Sequence, residues 1–404
     1  MPRRTTTTAT LALTGLGLLA LSLPVPAADA ATSDPAIRVP AHGALKVAGR
    51  GYGHGHGMSQ YGAEGAARKG LSGQQIVRFY YPHTTGGHVG GQVKVLISAD
   101  TDQNTTIVAR PGLTVRDLGD GSTTKVPTSG KPAKATRWRM SSAGGGATEV
   151  SYLTGSWHVW RTLSGDGEFR TTGKALTLVL SGGRVTYRGT LRSLAPVSPT
   201  THRITVNKVS LEGYVQGVVP REMPALWHQA ALRAQAIAAR TYAAFEARSS
   251  ANPRFNLCDT SACQVYGGKS AEYPTSNTAV ARTAEEVRMH HGRPAFTQFS
   301  SSNGGWTAAG NQPYLVAEKD PYDGWSGNPN HTWSVQIKVA AIESAYPTIG
   351  NLQKIVVTKR DGNGQWNGRV LDLKLVGGQG TVHTTGDDFR SRLGLLSTWF
   401  DLST

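Results

Sequence analysis

Cysteine is nearly absent: two residues in 404, too few for a cysteine-stapled scaffold and enough for a single bridge. Charged residues are also scarce, at 17%, and acidic ones scarcer still, with 26 Asp and Glu against 42 Lys and Arg. The resulting formal charge of +16 suits an anionic partner: nucleic acid, a lipid surface, or a bacterial wall with its teichoic and peptide carboxylates. No Lys/Arg block is long enough to act as a nucleic-acid-binding arm, because the excess is spread along the chain. Beyond residue 31 no stretch is apolar enough to cross a bilayer.

What the chain has is glycine, 49 residues of it, and enough length for two or three domains with a substantial core. Residues 1–30 read as a secretory signal: Arg3 and Arg4, an apolar run from Leu11 to Leu23, then Ala28-Asp29-Ala30 as a cleavage site. The run is shorter than the ~20 residues a membrane span needs, so a secreted, wall-located chain is expected.

The chain is organised around Val218 to Phe245, VVPREMPALWHQAALRAQAIAARTYAAF. Eight alanines between Ala230 and Ala244 give strong helix propensity, and Leu226, Ala230, Ile237 and Phe245 predict one buried face. Pro224 fits a first helical turn, which sets Glu222 just before the long helix. A carboxylate there is either a first-turn acid complementing the helix dipole or a reacting group on a rigid platform.

Upstream, five glycines in GRGYGHGHG (Gly49 to Gly57) require unusual backbone angles or close approach. Met58 to Lys69 reads as a short helix stopped by Gly70, and Ser72 with Gln75 forms a capping box for a second helix ending before Pro82. His54 and His56 have no acidic or Cys neighbours, so no metal site is expected there. From Val93 to about Leu194 the period becomes 2, in VKVLIS, LTVRDL, HVWRTL, ALTLVL and RVTYRGTL, an antiparallel β region. Residues 127–148 read as a loop or poorly ordered insertion. Trp138, Trp157 and Trp160 are either sugar-stacking residues or half-buried strand residues. Ile204 to Leu211 is a strand, Asn277 to His290 reads as an amphipathic helix closed by His290 and His291, and Thr385 to Phe400 ends the chain in a capped helix. Cys258 and Cys263 in an exported chain suggest a disulfide.

Glu212 to Ala243, EGYVQGVVPREMPALWHQAALRAQAIAARTYA, resembles the core motif of the SpoIID/LytB family, named for stage II sporulation protein D. GHGHGMSQYGAEGAARKGLSGQQIVRFYYPHT resembles that family's GHGVGMSQYGA…YYPGT segment, with His56 in place of an apolar residue. FTQFSSSNGGWTAAG, Phe296 to Gly310, resembles its Y.S.SGG.T segment. The resemblance covers roughly residues 49–90 and 200–400. It implies a peptidoglycan lytic transglycosylase in which Glu222 is the catalytic acid and His54, Ser59, Gln60, Arg240, Tyr242, Ser300, Ser302, Gly304, Gly305 and Thr307 bind substrate. Asp320, Asp323 and Trp333 continue the family pattern, as cleft-lining residues or as turn residues. Some family members bind zinc near the cysteine pair. Here Ala262 stands where those carry His, which leaves an incomplete ligand set and no cofactor expected.

In the family the GHG segment follows the catalytic helix, and here it comes first, with VHTTGDDFRSRLGLLSTWFDL resembling the piece that normally precedes it. A circularly permuted α+β fold is therefore expected: a 1–30 signal, a 31–90 segment completing the core, a 91–195 β region and a 196–404 catalytic core. Most glycosidases need two carboxylates. A lytic transglycosylase needs one, since the muramic acid 6-hydroxyl is the nucleophile, and no partner for Glu222 is visible. The competing expectation is a non-catalytic wall-binding protein that enhances a partner amidase. Glycan strands are the expected partner, with a wall amidase besides; no nucleic acid is expected.

Overall fold

The computed structural model describes residues 34–40, 43–196 and 202–404. The expected signal, residues 1–30, lies outside the described residues. The fold is α+β, with mostly antiparallel sheets around a small group of helices.

Helix α1 (Gln60–Arg68) is capped by Ser59, whose Oγ accepts from the Gly62 N–H at 2.9 Å. Helix α2 (Gly73–Tyr80) carries the capping box of Ser72 and Gln75 and stops before Pro82. Helices α3 (Leu211–Glu222) and α4 (Gln229–Ser249) follow the strand Ile204–Ser210, and α5 (Pro274–Ala281) packs beside them. Helix α4 touches α1, α2, α3 and α5. That is why it is alanine-rich: Ala231, Ala234, Ala236, Ala238, Ala239 and Ala243 are buried around its circumference, and short side chains let four neighbours approach. The expected one-sided stripe is therefore not how α4 buries its surface. Leu226 lies outside the helix and is 79% exposed.

A seven-stranded sheet runs from Leu257–Cys258 through Gln92–Leu96 and Ile204–Ser210 to Thr123–Lys125, and a six-stranded sheet from Ser156–Leu163 to Gly183–Tyr187. Their inward residues share one hydrophobic cluster with the helices. The stretch 127–148 is not a loop throughout, because Arg137–Gly144 is a strand paired with Ala147–Thr154 and Thr105–Val108. Trp138 and Met140 alternate inward with Arg137 and Arg139, a period-2 signal too short to stand out beside Ser and Gly. Trp138 is buried, while Trp157 and Trp160 are half-buried in their strand.

A second hydrophobic cluster joins the strands Ala44–Arg50, Thr332–Lys338, Leu352–Arg360, Val370–Gly377 and Phe400–Ser403 with helices α6 (Val339–Ala345) and α7 (Gly386–Leu393). The last helix is shorter than expected. Thr385 caps it, Gly394 ends it in the left-handed region at φ 68°, and Phe400 belongs to a strand. Asn277–His290 is likewise not one helix: α5 stops at Ala281, Glu285 takes φ 62°, and Glu286–His290 is a strand. His290 and His291 therefore sit at a strand end and its turn rather than at a helix C-terminus.

Candidate active site

Glu222 is the last residue of α3, not a residue before α4. Pro224 decides this, since its ring disfavours the helical region for the residue before it; Met223 is extended at φ −126°, ψ 145°. Pro224 then opens a turn closed by the Trp227 N–H on its carbonyl at 3.0 Å. The dipole argument is thereby reversed. At a helix C-terminus the unpaired carbonyls disfavour a carboxylate, so Glu222 is not a first-turn acid stabilised by an N-terminus.

Glu222 Oε1 accepts from the Val265 N–H at 2.7 Å, and Oε2 accepts from Gln60 Nε2 at 3.2 Å. Burial raises its pKa above the usual carboxylate range. The two hydrogen bonds and the charge of Arg221 pull the other way without cancelling it. The acid is thus both fixed in position and biased toward holding its proton.

The carboxyl opens into a cleft of about 680 Å³ whose walls come from distant segments: Tyr52 to His54, Gln60, Tyr242, Ser261 to Cys263, Gln298 to Ser301, and Arg390 on α7. Gly53 sits at φ 109°, and a Cβ there would stand 2.6 Å from Ser300 Cβ, so glycine is what lets these two walls meet. Tyr52 is 45% exposed at the rim, and Tyr242 is half-buried, stacked on Phe296 at 5.3 Å between centroids. Burial and the charges of His56, Arg369 and Arg390 hold the His54 pKa down to about 3, so its ring is neutral at neutral pH. Its Nδ1 accepts from the His56 N–H at 3.0 Å, which leaves the proton on Nε2. Among the described residues lining this cleft Glu222 is the sole carboxyl, while Arg221 and Arg390 are cations.

Of the residues expected to bind substrate, the cleft brings His54, Gln60, Tyr242 and Ser300 together with Glu222. The rest lie behind its walls. Ser59 and Ser302 are fully buried and both donate to the carboxylate of Asp323, at 2.6 Å and at 2.9–3.0 Å. Thr307 is buried with its hydroxyl on the Val316 carbonyl at 2.8 Å. Gly304 and Gly305 take φ 76° and 103° against Arg50 and His331. Arg240 has no exposed surface and forks onto Glu212 at 2.6 and 2.8 Å. Asp320 and Asp323 are buried too, receiving hydrogen bonds from Tyr80 and Asn303, and from Ser59, Ser302, His331 and Asn328. Burial and the Asp323 charge push the Asp320 pKa up to about 6. Trp333 stacks over Gly49 and donates to the Gly51 carbonyl at 2.8 Å, away from the cleft. These residues are held within the loops and are not among those lining the cleft.

Sequence reasoning passed over Val265, Tyr52 and Arg390. Val265 contributes a backbone N–H, which no side-chain motif reveals. Its position depends on the disulfide Cys258–Cys263, with Cα atoms 5.5 Å apart, and on Gln264, whose Oε1 accepts from Tyr214 at 3.0 Å. No group of three or more potential metal ligands occurs among the described residues. Replacing both cysteines by serine is expected to cost about 2 kcal/mol of stability from the lost loop constraint. It should also loosen the Val265 donor. Thermal unfolding and the pH profile of any activity check this, and an unchanged profile would mean that Val265 is held without the bridge.

The cleft is thus defined by a single buried acid at a helix C-terminus, under a glycine-rich wall and beside a cysteine-closed loop. Residues 200–290 match the profile of the SpoIID family, described as stage II sporulation protein, so this part of the chain is similar to that family. The chain is 42% identical over 121 residues to the amidase enhancer of Bacillus subtilis (strain 168), covering 28% of this chain and 16% of that protein. It is 31% identical over 238 residues to stage II sporulation protein D of Bacillus amyloliquefaciens, covering 51% of this chain and 65% of the relative. It is also 38% identical over 168 residues to an uncharacterized protein of Brachyspira hyodysenteriae (strain ATCC 49526 / WA1), 41% and 44% of the two chains. The match thus spans less than two thirds of each of these relatives.

Proposed function

We propose that this chain acts outside the cytoplasm on the bacterial cell wall as a peptidoglycan lytic transglycosylase, with Glu222 as its acid and base. The observation that carries the reading is the one carboxyl in the cleft, its pKa raised by burial, with no second carboxyl among the described lining residues. Hydrolysis by paired carboxylates would need a second partner, which the described residues lining this cleft do not supply. In the proposed reaction Glu222 gives its proton to the bridging oxygen as the bond from that oxygen to muramic acid C1 breaks. The carboxylate then takes the proton of the muramic acid 6-hydroxyl, whose oxygen closes on C1. The products are a free 4-hydroxyl and a 1,6-anhydro end, water is not consumed, and Glu222 is protonated again. Tyr52 and Tyr242 offer aromatic faces to sugar rings, and neutral His54 and Ser300 offer hydrogen bonds. The strand Ala44–Arg50 pairs with Phe400–Ser403, so the two ends of the core are adjacent, which supports reading the segment order as a circular permutation.

A second reading rests on the amidase-enhancer relative: a wall-binding chain that stimulates a partner amidase without cleaving glycan. The two readings separate on purified glycan strands without any amidase, where the enhancer alone yields no product.

The pH profile offers a test of the acid. Activity should fall as pH rises through the raised Glu222 pKa. Gln60 donates to the ionised form, so Gln60→Leu should raise that pKa further and move the alkaline limb to higher pH. A limb that stays in place in this variant means another group sets it.

A further inference from the structure

A second cavity, of about 560 Å³, lies at the other end of α3 from Glu222. Ser210, the N-cap of α3, is in its lining, so the two openings are separated by the helix, 12 residues or about 18 Å. Arg110, Arg170, Lys174, Arg188 and Lys269 also line it, and no carboxylate among the described residues does. Arg188 is paired with Glu272 at 2.5 Å, whereas Arg110, Arg170, Lys174 and Lys269 take part in no ion pair among the described residues. Arg110 Nε is buried and has no hydrogen-bond partner among the described residues. A buried guanidinium N–H left unpaired is costly unless a ligand satisfies it. The N-terminal end of α3 adds its own positive potential.

We infer that this cavity binds a phosphodiester-linked anionic polymer of the wall, the repeating phosphates pairing with Arg110, Arg170, Lys174 and Lys269. The inference rests on the proposed wall location. Four unpaired cations gathered in one concavity exceed what one carboxylate needs, and a chain of regularly spaced charges can engage them together. Guanidinium forks suit phosphate in particular. Arg110 also lines an adjoining hollow of about 670 Å³ with Pro111, Lys125 and Trp138, so the chain has room to continue past the cavity. The loop from Val265, which donates to Glu222, to Lys269, which lines the cavity, joins the two sites covalently. Polymer binding at one end of α3 therefore holds the cleft beside neighbouring glycan.

The test is calorimetric titration of the full chain with a defined oligo(glycerol phosphate), beside an oligogalacturonate of equal charge and a DNA oligonucleotide. The double variant Arg170→Gln/Lys174→Gln should weaken oligo(glycerol phosphate) binding by at least about tenfold. The exposed pair Lys354→Gln/Lys359→Gln, the same loss of charge elsewhere, should change it by less than about twofold. Equal weakening by both variants would reduce the effect to net charge and overturn the site. Equal or tighter binding of oligogalacturonate or DNA would overturn the assigned ligand. Glu222→Gln should bind the polymer unchanged, so loss of glycan cleavage with binding intact bears on the cleft reading alone.

Discussion

Glu222→Gln is expected to lower the rate of glycan cleavage by about 10²- to 10⁴-fold, the usual contribution of a positioned general acid. Glutamine keeps the shape and can still accept from the Val265 N–H, while the Gln60 amide can turn to present its oxygen to the new NH₂. Stability should not fall, and the sign follows from linkage. The folded pKa of Glu222 lies above its unfolded value, so the native state holds more protons through that window. Its contribution to stability therefore decreases as pH rises from the unfolded pKa through the folded one. The amide removes that penalty, and at neutral pH the variant should melt at or above the parent temperature. Loss of activity together with a lower melting temperature would point to a structural role for the side chain.

The second large effect concerns Arg240, which the resemblance assigns to substrate and the structure places in the core. Its guanidinium forks onto Glu212 and donates to the carbonyls of Ala236, Val280 and Glu286. Glu212→Ala would leave a fully buried cation facing no carboxylate, at a cost of about 3–5 kcal/mol. The expected outcome is a melting temperature several degrees lower, with the Michaelis constant of whatever remains folded unchanged. A raised Michaelis constant at parental stability would return Arg240 and Glu212 to the ligand.

Much of the frame is legible in the chain. The capping box at Ser72, the strand alternation after Val93, and the short cysteine loop are local signals, and the structure forms all three. The misread elements are those where two local rules compete. Pro224 suits a helix start as well as it forbids a helical Met223, and only the packing of α3 under the cleft decides. Around Glu285 a helical pattern persists until one left-handed residue turns the chain into a strand. Arg240 carries no surface signal because α4 is enclosed by neighbours on several sides, so a buried cation and a ligand-facing one look alike in sequence. The cleft itself is assembled from Tyr52, Gln60, Tyr242, Ser300 and Arg390, positions that no spacing rule brings together.

The most direct test of the acid–base account is mass spectrometry of purified glycan strands, intact and stripped of stem peptides, digested in H₂¹⁸O by the parent chain and by Glu222→Gln. The account predicts 1,6-anhydro ends, lighter than reducing ends by one water and free of the label, from the parent and none from the variant. Reducing ends carrying ¹⁸O, or anhydro ends persisting in Glu222→Gln, would contradict it.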